Sequence, residues 1–316
     1  MPSPSLSYVP WFYKNGRDTV LRDINGNELS GYFYIYNDTS YVLGVLKSGT
    51  SSSTMLWKNG VATTIPNITP QMAVTNFVIS GNDRYFLCRE ESGTGANTVR
   101  TFKLWKNGLL TTISSDVLTY VSRVIVSGTD VYILAQYGNM FTPNPKIRVC
   151  KNGVWESWFG MSNGWVEAFG FAVNNGDVYV AGKDQTPSGT YATIWKNGTP
   201  THLNTGNFYS WANDVAVSGS DVYVVGTEGI SANIQKATIW KNGVPTRLTN
   251  GQFGATAAKI VLAGSDIYVG GTEQSRLPLT TVNEFTPSFL RVWKNGVPTT
   301  YTDGSTQATL IYMSFF

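Results

Sequence analysis

The chain has 316 residues, of which 14% are charged and 13% aromatic, and its formal net charge is +3. So small a charge, without a Lys/Arg run or a basic helix, gives no reason to expect nucleic acid as a partner. No stretch of about 18 apolar residues exists, so no membrane insertion is expected, and residues 1–7 lack the basic and apolar regions of an export signal.

The first predicted element is a hairpin over residues 8–22, centred on Lys14-Asn15-Gly16. The same Lys-Asn-Gly triplet returns at Lys58, Lys106, Lys151, Lys196, Lys241 and Lys294, with gaps of 44, 48, 45, 45, 45 and 53 residues. Asn-Gly between apolar runs predicts a two-residue type I′ turn, because both central positions need positive φ. Trp57, Trp105, Trp195, Trp240 and Trp293 precede five of the triplets, and Tyr13 and Cys150 stand in that place in the other two. The triplets are read as turns, and these indoles as core.

A second motif lies between the triplets. At residues 215–228 it reads Val-Ala-Val-Ser-Gly-Ser-Asp-Val-Tyr-Val-Val-Gly-Thr-Glu, with relatives at 77–90, 124–137, 171–184 and 260–273 and a degenerate copy at 33–46. Two β-rich runs around a polar turn predict another hairpin. Each unit therefore has four strands, as at 211–217 (A), 222–227 (B), 236–241 (C) and 244–248 (D). Six complete units are predicted, over 29–65, 71–113, 118–159, 165–203, 209–248 and 254–301. What remains is the C–D hairpin at 8–22 and an A strand within 306–316.

Radially arranged four-stranded units of about 45 residues make a β-propeller. The predicted fold is all-β: a single domain over 1–316, a seven-bladed propeller whose ring closes where the N-terminal hairpin joins the C-terminal strand. An open solenoid is the other architecture such repeats allow. The shared blade lacks a B strand: only 13 residues precede Lys14, and the chain ends one residue after Phe315. Three outcomes stay open. Residues 1–7 double back, the blade keeps three strands, or another chain donates the strand. Cys88 and Cys150 fall on different strands of successive units and are expected as buried thiols rather than a disulfide.

Function is expected on variable loops over a rigid scaffold, here the B–C and D–A loops. Phe141, Trp165, Tyr209, Trp211 and Phe285 offer aromatic surfaces there for sugar rings. Glu90, Asp184, Glu228 and Glu273, each near the end of a strand B, suit either solvation or contacts with sugar hydroxyls or a cation. Tyr32, Asn76, Arg123, Gly170, Asp214, Lys259 and Tyr312 recur on strand A as the lining of a central channel. The triplet lysines would ring the opposite face, where an anionic surface is one possible partner. Asp83, Asp130, Asp177, Asp221 and Asp266 are read as turn residues. Residues 23–28 hint at a calcium loop but lack its spacing.

Catalysis has few candidates. His202 is the sole histidine, and no Cys–His metal cluster or nucleophile elbow is present. A carboxylate pair for glycoside hydrolysis would have to draw on Asp214 or Glu167. No cofactor and no metal are expected.

Ile-Trp-Lys-Asn-Gly with Val-Ser-Gly-Ser-Asp-Val-Tyr-Val resembles the repeats of bacterial β-propeller proteins, many of them Bacteroidetes surface proteins. The resemblance covers nearly the whole chain, and a more distant one extends to tachylectin-type sugar-binding propellers. It implies the fold and matches no ligand residues onto this chain. The leading expectation is a non-catalytic recognition propeller for a glycan or a surface protein, extracellular, on a cell surface or on a virion. The alternatives are a structural subunit that self-assembles through the incomplete blade, and a glycan-active enzyme.

Overall fold

A computed structural model describes residues 11–14, 17–20, 31–36, 39–48, 51–59, 61–69, 71–93, 98–114, 120–138, 145–156, 165–203, 209–231, 234–275, 287–305 and 313. Among them every regular element is a β-strand. The chain gathers into two compact units, Met1–Val126 and Ser127–Phe316.

In the first unit, β1 (Trp11–Lys14) and β2 (Arg17–Val20) form a two-stranded antiparallel hairpin around the first triplet. Then β3 (Gly31–Tyr36), β4 (Thr39–Ser48), β5 (Ser51–Lys58) and β6 (Val61–Thr64) follow one another as an antiparallel meander. A second meander contains β7 (Met72–Ser80), β8 (Asp83–Ser92), β9 (Val99–Lys106) and β10 (Leu109–Ser114). Tyr41, Leu43 and Leu56 of the first sheet pack with Phe77, Phe86 and Trp105 of the second in one buried cluster. A further sheet contains β11 (Tyr120–Ser127), β12 (Asp130–Tyr137), β13 (Lys146–Lys151) and β14 (Val154–Trp155) in chain order.

The second unit continues with β15 (Trp165–Asn174), β16 (Asp177–Thr186), β17 (Gly189–Lys196) and β18 (Thr199–His202). Next come β19 (Tyr209–Ser218), β20 (Asp221–Ser231), β21 (Ile234–Lys241) and β22 (Val244–Arg247). The last meander is β23 (Ala255–Ala263), β24 (Asp266–Gln274), β25 (Ser288–Lys294) and β26 (Val297–Thr300). The expected A-B-C-D order therefore holds in all six predicted units.

The sheet count differs from seven separate four-stranded blades. Among the described residues there are four four-stranded sheets, one eight-stranded sheet and the hairpin β1–β2. The eight-stranded sheet arises because Thr190 of β17 and Tyr209 of β19 form a single parallel bridge, which fuses units 165–203 and 209–248. Residues 1–7, 308–312, 314 and 315, on which closure of a shared blade depends, lie outside the described residues, as do the calcium-loop residues 23–28.

Packing follows the sequence pattern. The strand-C indoles Trp57, Trp105, Trp195, Trp240 and Trp293 are all buried, at 4% exposure or less. Removing an apolar side chain of that size from water contributes on the order of 3 kcal/mol. Cys88 and Cys150 are free and buried, and burial pushes the Cys88 thiol up to about 12.

One recurrent feature was not predicted. β7, β15, β19 and β23 each carry a one-residue register shift, at Val74/Asn76, Ala168/Gly170, Ala212/Asp214 and Ala257/Lys259. Such a bulge bends a strand and re-aims the residues beyond it. Opposite three of these bulges stand Gly182, Gly226 and Gly271, where a Cβ would come within 2.0 Å of the carbonyl oxygens of Glu167, Trp211 and Thr256, while the bulge of β7 faces Cys88.

Candidate functional site

Each repeat has two chemically different ends. At one end the A–B and C–D turns meet, and the Lys-Asn-Gly triplet does more than reverse the chain. Asn242 and Gly243 have φ of 51° and 84°, as a type I′ turn requires. The Asn242 backbone N–H donates to the carbonyl of Val222 at 2.8 Å, and its Oδ1 accepts from the Val222 N–H at 2.8 Å. Its Nδ2 donates to Asp221 Oδ1 at 2.8 Å, and Lys241 Nζ lies 2.7 Å from Asp221 Oδ2. The same ammonium sits 5.3 Å from the ring centroid of Tyr223. Asp221 and Tyr223 share a face because strand side chains alternate, and Tyr223 pairs directly with Lys241.

This clasp recurs with Asp83, Lys106 and Asn107, with Asp130, Lys151 and Asn152, with Asp177, Lys196 and Asn197, and with Asp266, Lys294 and Asn295. In every copy the lysine, then the asparagine, hold the aspartate below the usual carboxylate range. The aspartates read as turn residues are thus the nodes of a tie between two hairpins. Five of the seven triplet lysines expected to ring this face have their charge answered within their own repeats.

At the other end the strand-B carboxylates are paired too, each with a different partner. Glu90 meets Lys103 at 2.7 Å, Asp184 meets His202 at 3.0 Å, Glu228 meets Arg247 at 2.9 Å, and Glu273 meets Arg291. The Asp184 and Glu228 side chains are 0% and 1% exposed, so these two are interior groups rather than an open rim. Burial raises the Asp184 carboxyl, opposed by the hydrogen bond from His202. His202 stacks on Tyr191, with centroids 4.7 Å apart and planes 9° from parallel. The sole histidine therefore belongs to a structural pair.

Trp165 is half-buried and, with Gln185, Thr186 and Pro187, lines an open cleft of about 430 Å³. Trp165 and Gln185 are cross-strand partners at the end of the β15–β16 ladder. Lys183 lies 4.4 Å from the Trp165 ring and 2.9 Å from Glu167, which fixes the indole from within the sheet. The Thr186–Gly189 turn walls this cleft, and Thr190 beyond it bridges to Tyr209. Tyr209 and Trp211 meet edge to face at 5.2 Å. Trp165, Tyr209 and Trp211 thus flank one tight hairpin, β16–β17. Phe141 and Phe285 lie outside the described residues.

The strand-A positions read as channel lining mostly stitch sheets together. Asn76 Oδ1 accepts from the Val124 N–H at 3.1 Å. Asp214 accepts from the Ile260 N–H at 3.4 Å and lies 3.7 Å from Lys259 Nζ. Gly170 allows close approach, since a Cβ there would stand 2.7 Å from the Asp214 Cα. Arg123 is half-buried on β11, Tyr32 of β3 pairs with Leu43 of β4, and Tyr312 lies outside the described residues. Of the carboxylates weighed for glycoside hydrolysis, Asp214 is engaged in these contacts and Glu167 in the ion pair with Lys183. Among the described residues no group of three His, Cys, Asp or Glu side chains is placed to hold a metal ion, and no helix is long and apolar enough to cross a membrane.

No family model matches the chain, and no curated protein matches it. Solved structures of similar fold include TolB from Acinetobacter baumannii, at 12% identity over 73% of this chain and 60% of that one, with a TM-score of 0.42. The chain thus spans less than two thirds of TolB. The polysaccharide lyase Uly1 is similar at 13% identity, 92% and 85% coverage and a TM-score of 0.47. The β-propeller domain of the trilobed protease from Pyrococcus furiosus, described as having an open velcro topology, is similar at 12% identity, 88% and 98% coverage and a TM-score of 0.43. Likenesses this distant carry nothing about ligand or chemistry.

Proposed function

We propose that the protein is a non-catalytic recognition module: a propeller of four-stranded blades, seven when β1–β2 is completed by residues 308–315, that binds a glycan or another surface molecule. The observation that carries this reading is the Trp165 cleft. An aromatic wall with an amide, a hydroxyl and a proline beside it provides stacking and hydrogen-bonding surface together. The cleft stands at the end of the sheet where the pairs differ from repeat to repeat, and away from the uniform clasps. An extracellular, cell-surface or virion setting suits such a role.

The test is a glycan array followed by calorimetry on the strongest binder. Trp165→Ala is expected to weaken binding at least about tenfold, the equivalent of roughly 1.4 kcal/mol, with the strand circular dichroism retained. Undiminished binding by the folded variant would remove the cleft from the reading.

A second reading is that of an assembly subunit, in which a neighbouring chain adds a strand to the β1–β2 hairpin and joins copies by β-augmentation. Light scattering over a range of concentrations separates the two: a constant monomer mass supports self-closure, and growth with concentration supports assembly.

A further inference from the structure

We propose that Asn175–Gly176 is a site of spontaneous deamidation, and that the five clasped Lys-Asn-Gly turns, close to it in backbone, are shielded from the same reaction by their clasps. Asn-Gly is the pairing that favours this chemistry, because glycine puts no side chain in the way of its own nitrogen. The Gly176 nitrogen attacks Asn175 Cγ, ammonia leaves with Nδ2, and a five-membered succinimide forms. Water then opens the ring at either carbonyl, giving aspartate or its β-linked isomer. Overall one water is consumed and one ammonia is released, with no oxidant or cofactor.

The molecule contains its own controls. Asn175 and Gly176 have φ of 51° and 84°, the same as Asn242 and Gly243 and within two degrees of Asn197 and Gly198. Both Gly176 and Gly243 face open space where a Cβ would stand. The difference lies in the carboxamide. Asn242 is held by the Val222 N–H and by Asp221, and Asn197 by the Val178 N–H and Asp177. Asn175 is exposed, and its carboxamide has no hydrogen-bond partner among the described residues. It occupies an A–B turn, where the carboxamide has no aspartate node to reach. In a clasped turn both hydrogen bonds must open before Cγ can swing to the glycine nitrogen, and that lowers the reactive population.

The product would matter locally. A β-linked aspartate adds a backbone carbon to a two-residue turn, and either product adds a negative charge beside Asp177, which already holds Lys196 and Asn197. The same hairpin carries Trp165 and Gln185 at its far end.

The experiment is peptide mapping by mass spectrometry after incubation of the full chain at mildly alkaline pH, native and in denaturant. The expected native result is that acid forms accumulate at Asn175 at least roughly tenfold faster than at Asn197, Asn242 or Asn295, with the rates converging in denaturant. Asp221→Ala is expected to speed the reaction at Asn242 and leave Asn197 and Asn295 unchanged. Equal native rates at Asn175 and Asn242, a difference that persists in denaturant, or an unchanged Asn242 rate in folded Asp221→Ala would each overturn the proposal.

Discussion

The two ends of a repeat use the same kind of contact to opposite effect. At the turn end, Asp, Lys, Asn and Tyr recur five times with nearly the same distances, and every charge is exposed to water. At the B–C end a carboxylate again meets a cation, but the partner is Lys103, His202, Arg247 or Arg291, and burial ranges from partial to complete. Exposed pairs cost little to make and contribute little, so many identical copies serve as locators for the turns. Buried pairs are individually consequential, because removing one partner strands a charge. The end that varies is also the end where the protein has most to lose from a single change.

Arg247→Met tests this most severely. Glu228 is 1% exposed and its Oε2 takes the Arg247 Nε at 2.9 Å, so the variant is expected to lose about 3 kcal/mol of stability. Adding Glu228→Gln is expected to recover most of that loss in a denaturant titration. A stable single variant would show that Lys236, the cross-strand partner of Glu228, can replace the arginine, and the contrast between the ends would narrow.

Asp184→Asn probes the same end with a smaller effect. Burial raises the Asp184 carboxyl, so the folded protein holds this proton more tightly than the unfolded chain does. Ionisation therefore weighs against folding as pH rises above the ordinary 3.8. The neutral variant is expected to match or slightly exceed the parent in melting temperature at pH 7, with the difference closing in acid. A clear loss at pH 7 would mean that the contact with His202 outweighs the cost of burial.

Much of this architecture was legible in the sequence. The Asn-Gly turns, the A-B-C-D order and the buried strand-C indoles follow from period, turn chemistry and apolar alternation, all of which are local signals. The clasp was half legible: Asp221 was visible as a turn residue, but nothing local says that Asn242 reaches back to it. The bulges had a trace in Gly182, Gly226 and Gly271, whose shared position stood out against Cys88 while its cause, an approaching carbonyl, belongs to another strand. The pairing of Glu228 with Arg247 was not legible, since it skips over strand C. Nor was the bridge at Thr190 and Tyr209, because a strand at the edge of one repeat carries no mark of which neighbour it will meet. Of the cleft, Trp165 is legible as an aromatic of the variable-loop end, where the structure leaves it half-buried at the start of β15, whereas Gln185, Thr186 and Pro187 are not, because their role depends on where the β16–β17 turn falls.

Asp221→Asn gives the smallest expected effect and the sharpest view of the turn end. Lys241 first, then Asn242, hold Asp221 below its ordinary 3.8. A carboxyl lowered by folding stabilises the protein at pH values above 3.8, and that contribution fades as pH falls through the lower folded value. Because the group is exposed, salt screens it and the change at neutral pH is expected to be slight. In a series of melting curves taken into acid, the variant should lose less stability than the parent below 3.8 and run parallel to it above. Replacing all five aspartates should flatten the acid limb in proportion, because the clasps lie in separate repeats and distant sites add. A steep acid limb that survives all five replacements would place the acid sensitivity outside the clasps.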